Sequence, residues 1–364
     1  MIIPLCLLTL YSMHAAAASG HIAYLSGTEQ EDLCVCVMDV VSGATLRVGE
    51  GDRDGAPVWS PDGAWLAYPS KSDAGMDIHL VRPDGSERRA VVHAHPWNRQ
   101  PRWSPDGSRL AYAADDGINA VIMVYDAVTH TETVWGGGKT GLMRPVWVSG
   151  MKLLNIVKQI EESQHGESRI SGMFDEINGT GAILAVGLVA NSNGLTTDIF
   201  LVTENGATPL VPPELNPGNY VDWAVEINRK GGMIAFESND GGDREIFVFS
   251  ANGQTNVTNH READWNPVWS PDGNWIAFES FRNARRSVYR VYPETIRVFP
   301  VAVAKNSDNW CPTWSPDGEW LAFVSDRTGN PDIWIAEVTG ENPRQLTTYP
   351  GLDYAPAWQP RKAP

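Results

Sequence analysis

The phrase Pro-x-Trp-Ser-Pro-Asp-Gly occurs four times in this chain, at residues 57–63, 101–107, 267–273 and 312–318. Degenerate forms follow at Pro145 to Gly150 (PVWVSG), Asp222 to Ala224 (DWA) and Pro356 to Pro360 (PAWQP). The matching tryptophans are Trp59, Trp103, Trp147, Trp223, Trp269, Trp314 and Trp358, at intervals of 44, 44, 76, 46, 45 and 44 residues. A period near 44 residues is that of a four-stranded propeller blade.

Each copy carries the rest of a blade. Ser-Pro-Asp-Gly suits a hairpin turn, with Pro presetting its φ at the second position and Gly taking a positive φ at the fourth. An apolar triplet centred on Ala follows: Leu66-Ala67-Tyr68, Leu110-Ala111-Tyr112, Ile234-Ala235-Phe236, Ile276-Ala277-Phe278 and Leu321-Ala322-Phe323. Large residues on one face and a small one on the other fit a strand packed between two sheets. Third strands read at Asp77 to Val81, Glu245 to Phe249 and Asp332 to Ile335, and a fourth at Arg344 to Thr347. The fold class predicted is all-β, a propeller of four-stranded antiparallel blades.

His21-Ile22-Ala23-Tyr24 is a second strand lacking its Trp strand, whereas Pro356-Ala357-Trp358 is a Trp strand lacking its partner. The two ends are expected to share one blade, which removes the free sheet edge of an open array. Seven blades are predicted, with eight as the alternative. The 76-residue interval after Trp147 holds two third-strand candidates, Ser168 to Phe174 and Asp198 to Val202, and a single Trp strand. An inserted hairpin in one blade, within a degenerate segment at about 158–195, accounts for that interval with seven.

The words WSPDG, [LI]-A-[FY] and D-I-[WFH] resemble the repeat of the TolB-like, or PD40, family of β-propellers. The likeness covers residues 21 to 360 and the propeller alone, without the α/β domain that precedes it in TolB. It implies a fold, not an activity. The same repeat also precedes the hydrolase domain of prolyl-oligopeptidase-like peptidases.

The formal charge is −16, from 28 Lys and Arg against 44 Asp and Glu, which disfavours nucleic acid as a partner. The first 19 residues hold an apolar run and small residues near Ala16 to Ala18 that suit signal cleavage, although no basic residue precedes the run. The expectation is an exported, periplasmic or secreted protein that does not span the membrane, with residues 20–364 forming the propeller. Beyond Cys6, the cysteines are Cys34, Cys36 and Cys311. The first two alternate with Val35 and Val37 and read as buried small hydrophobes, a bridge from Cys311 to either being the alternative.

No G-x-S-x-G, H-E-x-x-H or phosphate-loop motif is present. His93 and His95 have ligand-like i, i+2 spacing and are the metal candidates; the pair distantly resembles the propeller histidines of oligogalacturonate lyases. No resident cofactor is expected, a divalent cation in the channel being the one candidate. Five residues before the tryptophans stand Asp54, Asn98, Asp264, Asn309 and Asp353, broken by Leu142 and Gly218. If the Trp strand is innermost, these side chains ring one mouth of the central channel. They either form an acidic collar for a cation or a basic peptide, or cap their own turns and tie neighbouring blades. The function expected is a protein or peptide interaction module, as a scaffold or non-catalytic subunit of a periplasmic complex. The alternative is a propeller lyase or hydrolase with a metal-assisted site in the channel.

Overall fold

In all four full copies of Ser-Pro-Asp-Gly the serine organises the turn. Its Oγ donates to the Asp Oδ1 two residues on, at 2.6, 2.6, 2.5 and 2.5 Å for Ser60, Ser104, Ser270 and Ser315. The same Oγ accepts the backbone N–H five residues on, at 2.9 Å in each copy. Gly63, Gly107, Gly273 and Gly318 close the turns at φ between 66° and 76°. The serine hydroxyl and the aspartate Oδ1 of the motif serve the hairpin, so its recurrence reflects the fold.

The computed structural model describes residues 17–28, 33–51, 55–73, 75–92, 95–115, 119–139, 141–148, 151–165, 168, 170–191, 194–210, 222–228, 230, 232–240 and 242–361. Their strands form seven four-stranded antiparallel blades, two of which are joined into one sheet by a single parallel bridge, Met76 to Trp97. Blade 1 is composite: Leu352–Trp358 pairs with His21–Gly27, followed by Cys34–Asp39 and Thr45–Glu50. Blades 2 to 7 begin at Val58–Trp59, Trp97–Trp103, Leu142–Trp147, Asp222–Ile227, Asp264–Trp269 and Asn309–Trp314. These first strands touch one another in order around the ring, and Leu352–Trp358 meets Val58–Trp59 to complete it. They are the innermost strands, as the sequence predicts. The leading face of the ring is the one where they begin.

The apolar triplets explain how the blades stack. Ala67 is the hollow that receives Leu110 and Tyr112 of the next blade. Ala235 receives Ile276 and Phe278, Ala277 receives Leu321 and Phe323, and Ala322 receives Ile22 and Tyr24. All four alanines are fully buried, so a larger residue at any of them would overpack a blade interface. The tryptophans add a polar stitch. Trp59, Trp147 and Trp314 donate Nε1–H at 2.9 Å to Ala357, Arg102 and Val268 carbonyls of the preceding inner strand.

Two sequence expectations are corrected. Ser168 to Phe174 is not a strand: the chain after Trp147 forms helix α1 (Lys152–His165), a 3-10 turn (Ser171–Met173) and helix α2 (Phe174–Thr180). The insertion is therefore helical, and regular strands resume at Ile183–Asn191 and Gly194–Val202. Leu153, Leu154, Val157 and Ile177 bury one face of it against blades 4 and 5, and Arg109 holds the Thr180 carbonyl at 2.5 Å.

Trp223 is also not the blade tryptophan. Ile227 pairs with Ile234 as Trp269 pairs with Ile276 and Trp314 with Leu321. Ile227 holds the tryptophan position of blade 5, and Trp223 aligns with Trp265 and Trp310. Asn228 replaces the serine of the turn, its Oδ1 accepting the Gly232 and Met233 N–H groups at 3.1 and 3.3 Å.

Candidate functional site: the leading mouth of the channel

In blades 4 to 7 the inner strand begins with the residue five places before its tryptophan position, and in blades 1 and 3 it begins one residue earlier. The corrected register puts Asp222 there in blade 5 instead of Gly218, opposite Ser238, as Asp264 lies opposite Ser280 and Asn309 opposite Ser325. Asn98, Asp264, Asn309 and Asp353 all lie at the leading end of their strands, and all are at most 1% exposed. Asp54 and His93 lie outside the described residues.

Burial changes what these four side chains offer. The backbone N–H groups of Asp264, Asn309 and Asp353 donate to Arg244, Arg286 and Pro331 carbonyls of the preceding blade at 2.7, 2.7 and 2.8 Å. Asn98 Nδ2 donates at 2.9 Å to the Met76 carbonyl, again one blade back. Asp264 takes Arg282 at 2.6 Å, and Asn309 Oδ1 takes Arg327 at 2.8 Å. All four are removed from water by packing and tie neighbouring blades, and Arg282 and Arg327 each claim one oxygen, of Asp264 and of Asn309.

Two places further along, five of the inner strands bulge. Gln100, Arg144, Asn266, Cys311 and Ala355 adopt φ between 51° and 58°, three residues before their tryptophans. An L-residue held there is strained, and the ladder shifts register at each site. The buried Pro that follows has no N–H to lose on this edge strand. The bulge N–H needs an acceptor, which the preceding blade supplies: Gln100 Oε1 for Arg144 at 2.9 Å, Glu237 for Asn266 at 2.6 Å and Glu279 for Cys311 at 2.8 Å. Glu279 is fully buried and also accepts Trp265 Nε1, Asn266 Nδ2 and Arg286 Nε at 2.9, 2.7 and 2.5 Å. Sequence reasoning missed both glutamates, although the repeated word IAFES at 234–238 and 276–280 contains them one residue beyond the recognised triplet.

Burial also perturbs the carboxyls. Glu245 is pushed up to about 7 by desolvation, with Asp264 beside it adding to the rise, while Thr258 Oγ1 donates to it at 2.5 Å and the His260 N–H at 2.9 Å. Desolvation likewise raises Asp264, Glu237 and Asp353. A carboxyl raised on folding holds its proton more tightly in the native state. Its contribution to stability is full below its ordinary value and is lost as pH climbs through the folded value. Melting temperature should therefore rise as pH falls from 8 to 5.5. Glu245→Gln should flatten that slope, Glu245 contributing about 1 kcal/mol to it. Thermal scans at both pH values check this, and an equal slope in the variant would reject the assignment.

The accessible side chains at the leading face include aromatic and basic ones. Trp97, Leu188, Phe281 and Tyr349 are 42, 43, 37 and 45% exposed on its loops and strand ends. Phe281 packs 5.0 Å from Trp265, and the Arg286 guanidinium lies 5.8 Å from the Trp265 ring and 5.5 Å from that of Trp310. Arg282, Arg285 and Arg286 share this one loop of blade 6. His95 precedes the inner strand of blade 3, its carbonyl accepting Asn98 Nδ2 at 2.7 Å. Among the described residues no three His, Cys, Asp or Glu side chains are grouped to hold a metal ion. No helix among them is long and apolar enough to cross a membrane.

Residues 267–363 match the family model of the TolB beta propeller domain, PD40. The Tol-Pal system protein TolB of Anaeromyxobacter dehalogenans is 27% identical over 146 residues, 39% of this chain and 30% of that protein. The matched stretch thus spans less than a third of that relative. Among solved structures, TolB from Acinetobacter baumannii superposes with a TM-score of 0.56 at 17% identity, over 94% of this chain and 67% of that one. The β-propeller domain of the Trilobed protease from Pyrococcus furiosus gives 0.61 at 10% identity, over 91% and 97%. Likeness at these identities carries the propeller fold.

Proposed function

For a chain that is TolB-like in its repeat and its fold, we propose the role of an exported protein-interaction module that binds a protein or peptide partner at the leading mouth of its channel. The observation that carries this reading is the group of Trp265, Phe281, Arg286 and Trp310 across blades 6 and 7, with Trp97 and Tyr349 exposed elsewhere on the same face. Tryptophan, tyrosine and arginine anchors dominate binding energy at protein interfaces, and such residues clustered at a rim favour contact with another protein. Export is supported by the apolar leader and small residues before Gly20, which lie largely outside the described residues.

The buried Asp and Asn ring then acts behind this surface, holding the blades that present it. A partner engaging the arginine loop through acidic side chains, with aromatics filling the channel mouth, suits the chemistry better than the basic peptide expected from the sequence. A photo-cross-linking residue placed at position 281 in cells of the source organism tests this. A discrete adduct at 281 that is absent at Val128, on the opposite face, is expected; equal labelling at both, or none at 281, rejects the reading.

A further inference from the structure

Cys34 and Cys36 sit two residues apart on one face of the strand Cys34–Asp39, with their Sγ atoms 3.5 Å apart. Cys34 is half-buried and lines a cavity of about 620 Å³ at the leading face between blades 1 and 2, walled also by Ser26, Arg47, Glu50, Lys71 and Tyr349. Cys36 is 6% exposed behind it. The pair belongs neither to the aromatic patch nor to the blade ties. No disulfide links Cys34, Cys36 or Cys311, all three of which are free thiols.

We propose that this cavity is a thiol–disulfide exchange site for a small anionic disulfide, with Cys34 as the attacking thiol and Cys36 as the resolving one. The Cys34 thiolate attacks one sulfur of the substrate R–S–S–R, forming a Cys34–S–S–R mixed disulfide and expelling RS⁻, which takes a proton from solvent. Cys36 then loses its proton and attacks the Cys34 sulfur, closing a Cys34–Cys36 disulfide and releasing the second RS⁻. Two electrons pass from the thiol pair to the substrate, which leaves as two thiols.

The geometry assigns the order of attack. Cys34 faces the cavity and Cys36 does not, so an incoming disulfide meets Cys34 first. The groups around Cys34 are Cys36 on its own strand, Arg47 and Glu50 on the adjacent strand, Asp353 on the closing strand and Lys71 across the cavity. The Cys36 thiol, hydrogen-bonded to it, draws Cys34 down to about 7, and Arg47 assists; Cys36 itself is held far above its ordinary value by that bond and by burial. A thiol poised near neutral pH is close to optimal for exchange, because thiolate fraction and nucleophilicity are then balanced. Among the described wall residues Arg47 and Lys71 outnumber Glu50, which favours an anionic substrate. The cavity is large enough for a tripeptide disulfide to bring its sulfur to Cys34.

The probe is oxidised glutathione added to the full exported chain, followed by mass spectrometry. The wild type should release two equivalents of glutathione and end as an internal disulfide at 34 and 36. Cys36→Ser should trap glutathione on Cys34, at least about tenfold faster at pH 7 than Cys311 reacts, and Cys34→Ser should form no adduct at 36. Alkylation of wild-type Cys34 by iodoacetamide, read against pH, should show a midpoint near 7 and needs no variant to fold. A stable mixed disulfide on the wild type, adduct formation on Cys34 no faster than on Cys311, or a midpoint at the ordinary thiol value of about 8.5 would each overturn the proposal.

Discussion

Removal of residues 354–364 is expected to lower the melting temperature by at least about 10 °C. This segment supplies most of the inner strand of blade 1, pairing Trp358 with Ile22, Ala357 with Ala23 and Tyr354 with Leu25. It also holds both neighbouring blades. Trp59 Nε1 donates to the Ala357 carbonyl at 2.9 Å, Gln359 Nε2 to the Gly63 carbonyl at 2.8 Å, and Arg361 pairs with Asp317 at 3.0 Å. Loss of buried Trp358 alone costs about 3–5 kcal/mol, and an opened ring exposes the edge of His21–Gly27 as well. At roughly 2 °C per kcal/mol for a chain of this size, the combined effect reaches the stated fall. Differential scanning calorimetry reads it directly, with Trp358→Ala as the milder companion. An unchanged melting curve for the truncated chain would mean that the ring does not depend on its closing strand.

Glu279→Ala should destabilise by about 3–5 kcal/mol, more than any exposed substitution in the same blade. The carboxylate is fully buried and meets four donors at once: the Cys311 N–H, Trp265 Nε1, Asn266 Nδ2 and Arg286 Nε. Truncation strands all of them in a site that water reaches poorly, and the unpaired Arg286 charge adds to the cost. Glu279→Gln keeps one acceptor but turns an amide NH₂ toward these donors, so an intermediate loss is expected. Denaturant unfolding of both variants checks the order. A Glu279→Ala variant as stable as the wild type would show that the bulge at Cys311 needs no side-chain acceptor.

The fold was legible because a blade is written twice over, in its turn and in its packing. Ser-Pro-Asp-Gly marks the hairpin through its own hydrogen bonds, and Ala67 or Ala277 marks the hollow that the next blade fills. Blade 5 was misread because DWA at 222–224 contains a tryptophan in the wrong register. The signal was present: Ile234 follows Ile227 by seven residues, as Leu66 follows Trp59, whereas it follows Trp223 by eleven. Helix α1 has a sequence signal in Leu153, Leu154 and Val157, which have the spacing of one helical face, but it falls inside a strand repeat that masks it.

The polar ring is legible in the sequence as a pattern, while the depth of its members is not. Repetition places Asn98, Asp264, Asn309 and Asp353 around the axis, but it carries no information on depth. Whether such a residue meets solvent or the carbonyl of the preceding blade depends on how the blades pack, which no composition rule reports. The aromatic and arginine loop at Phe281 to Arg286 lies outside the repeat and was passed over for that reason. In a repeat protein the recurring residues build the scaffold, and those that break the repeat carry its individual role.

On the proposed reading the buried polar ring holds the blades while the aromatic mouth in front of it binds the partner. Cross-linking from position 281, measured alongside the melting temperature in the wild type, in Asn309→Ala and in Trp97→Ala with Tyr349→Ala, separates these roles. The account predicts that Asn309→Ala melts lower yet keeps the 281 adduct below its melting point, whereas the aromatic double variant melts unchanged and loses most of it. An Asn309→Ala variant that melts as the wild type does and loses the adduct would contradict it.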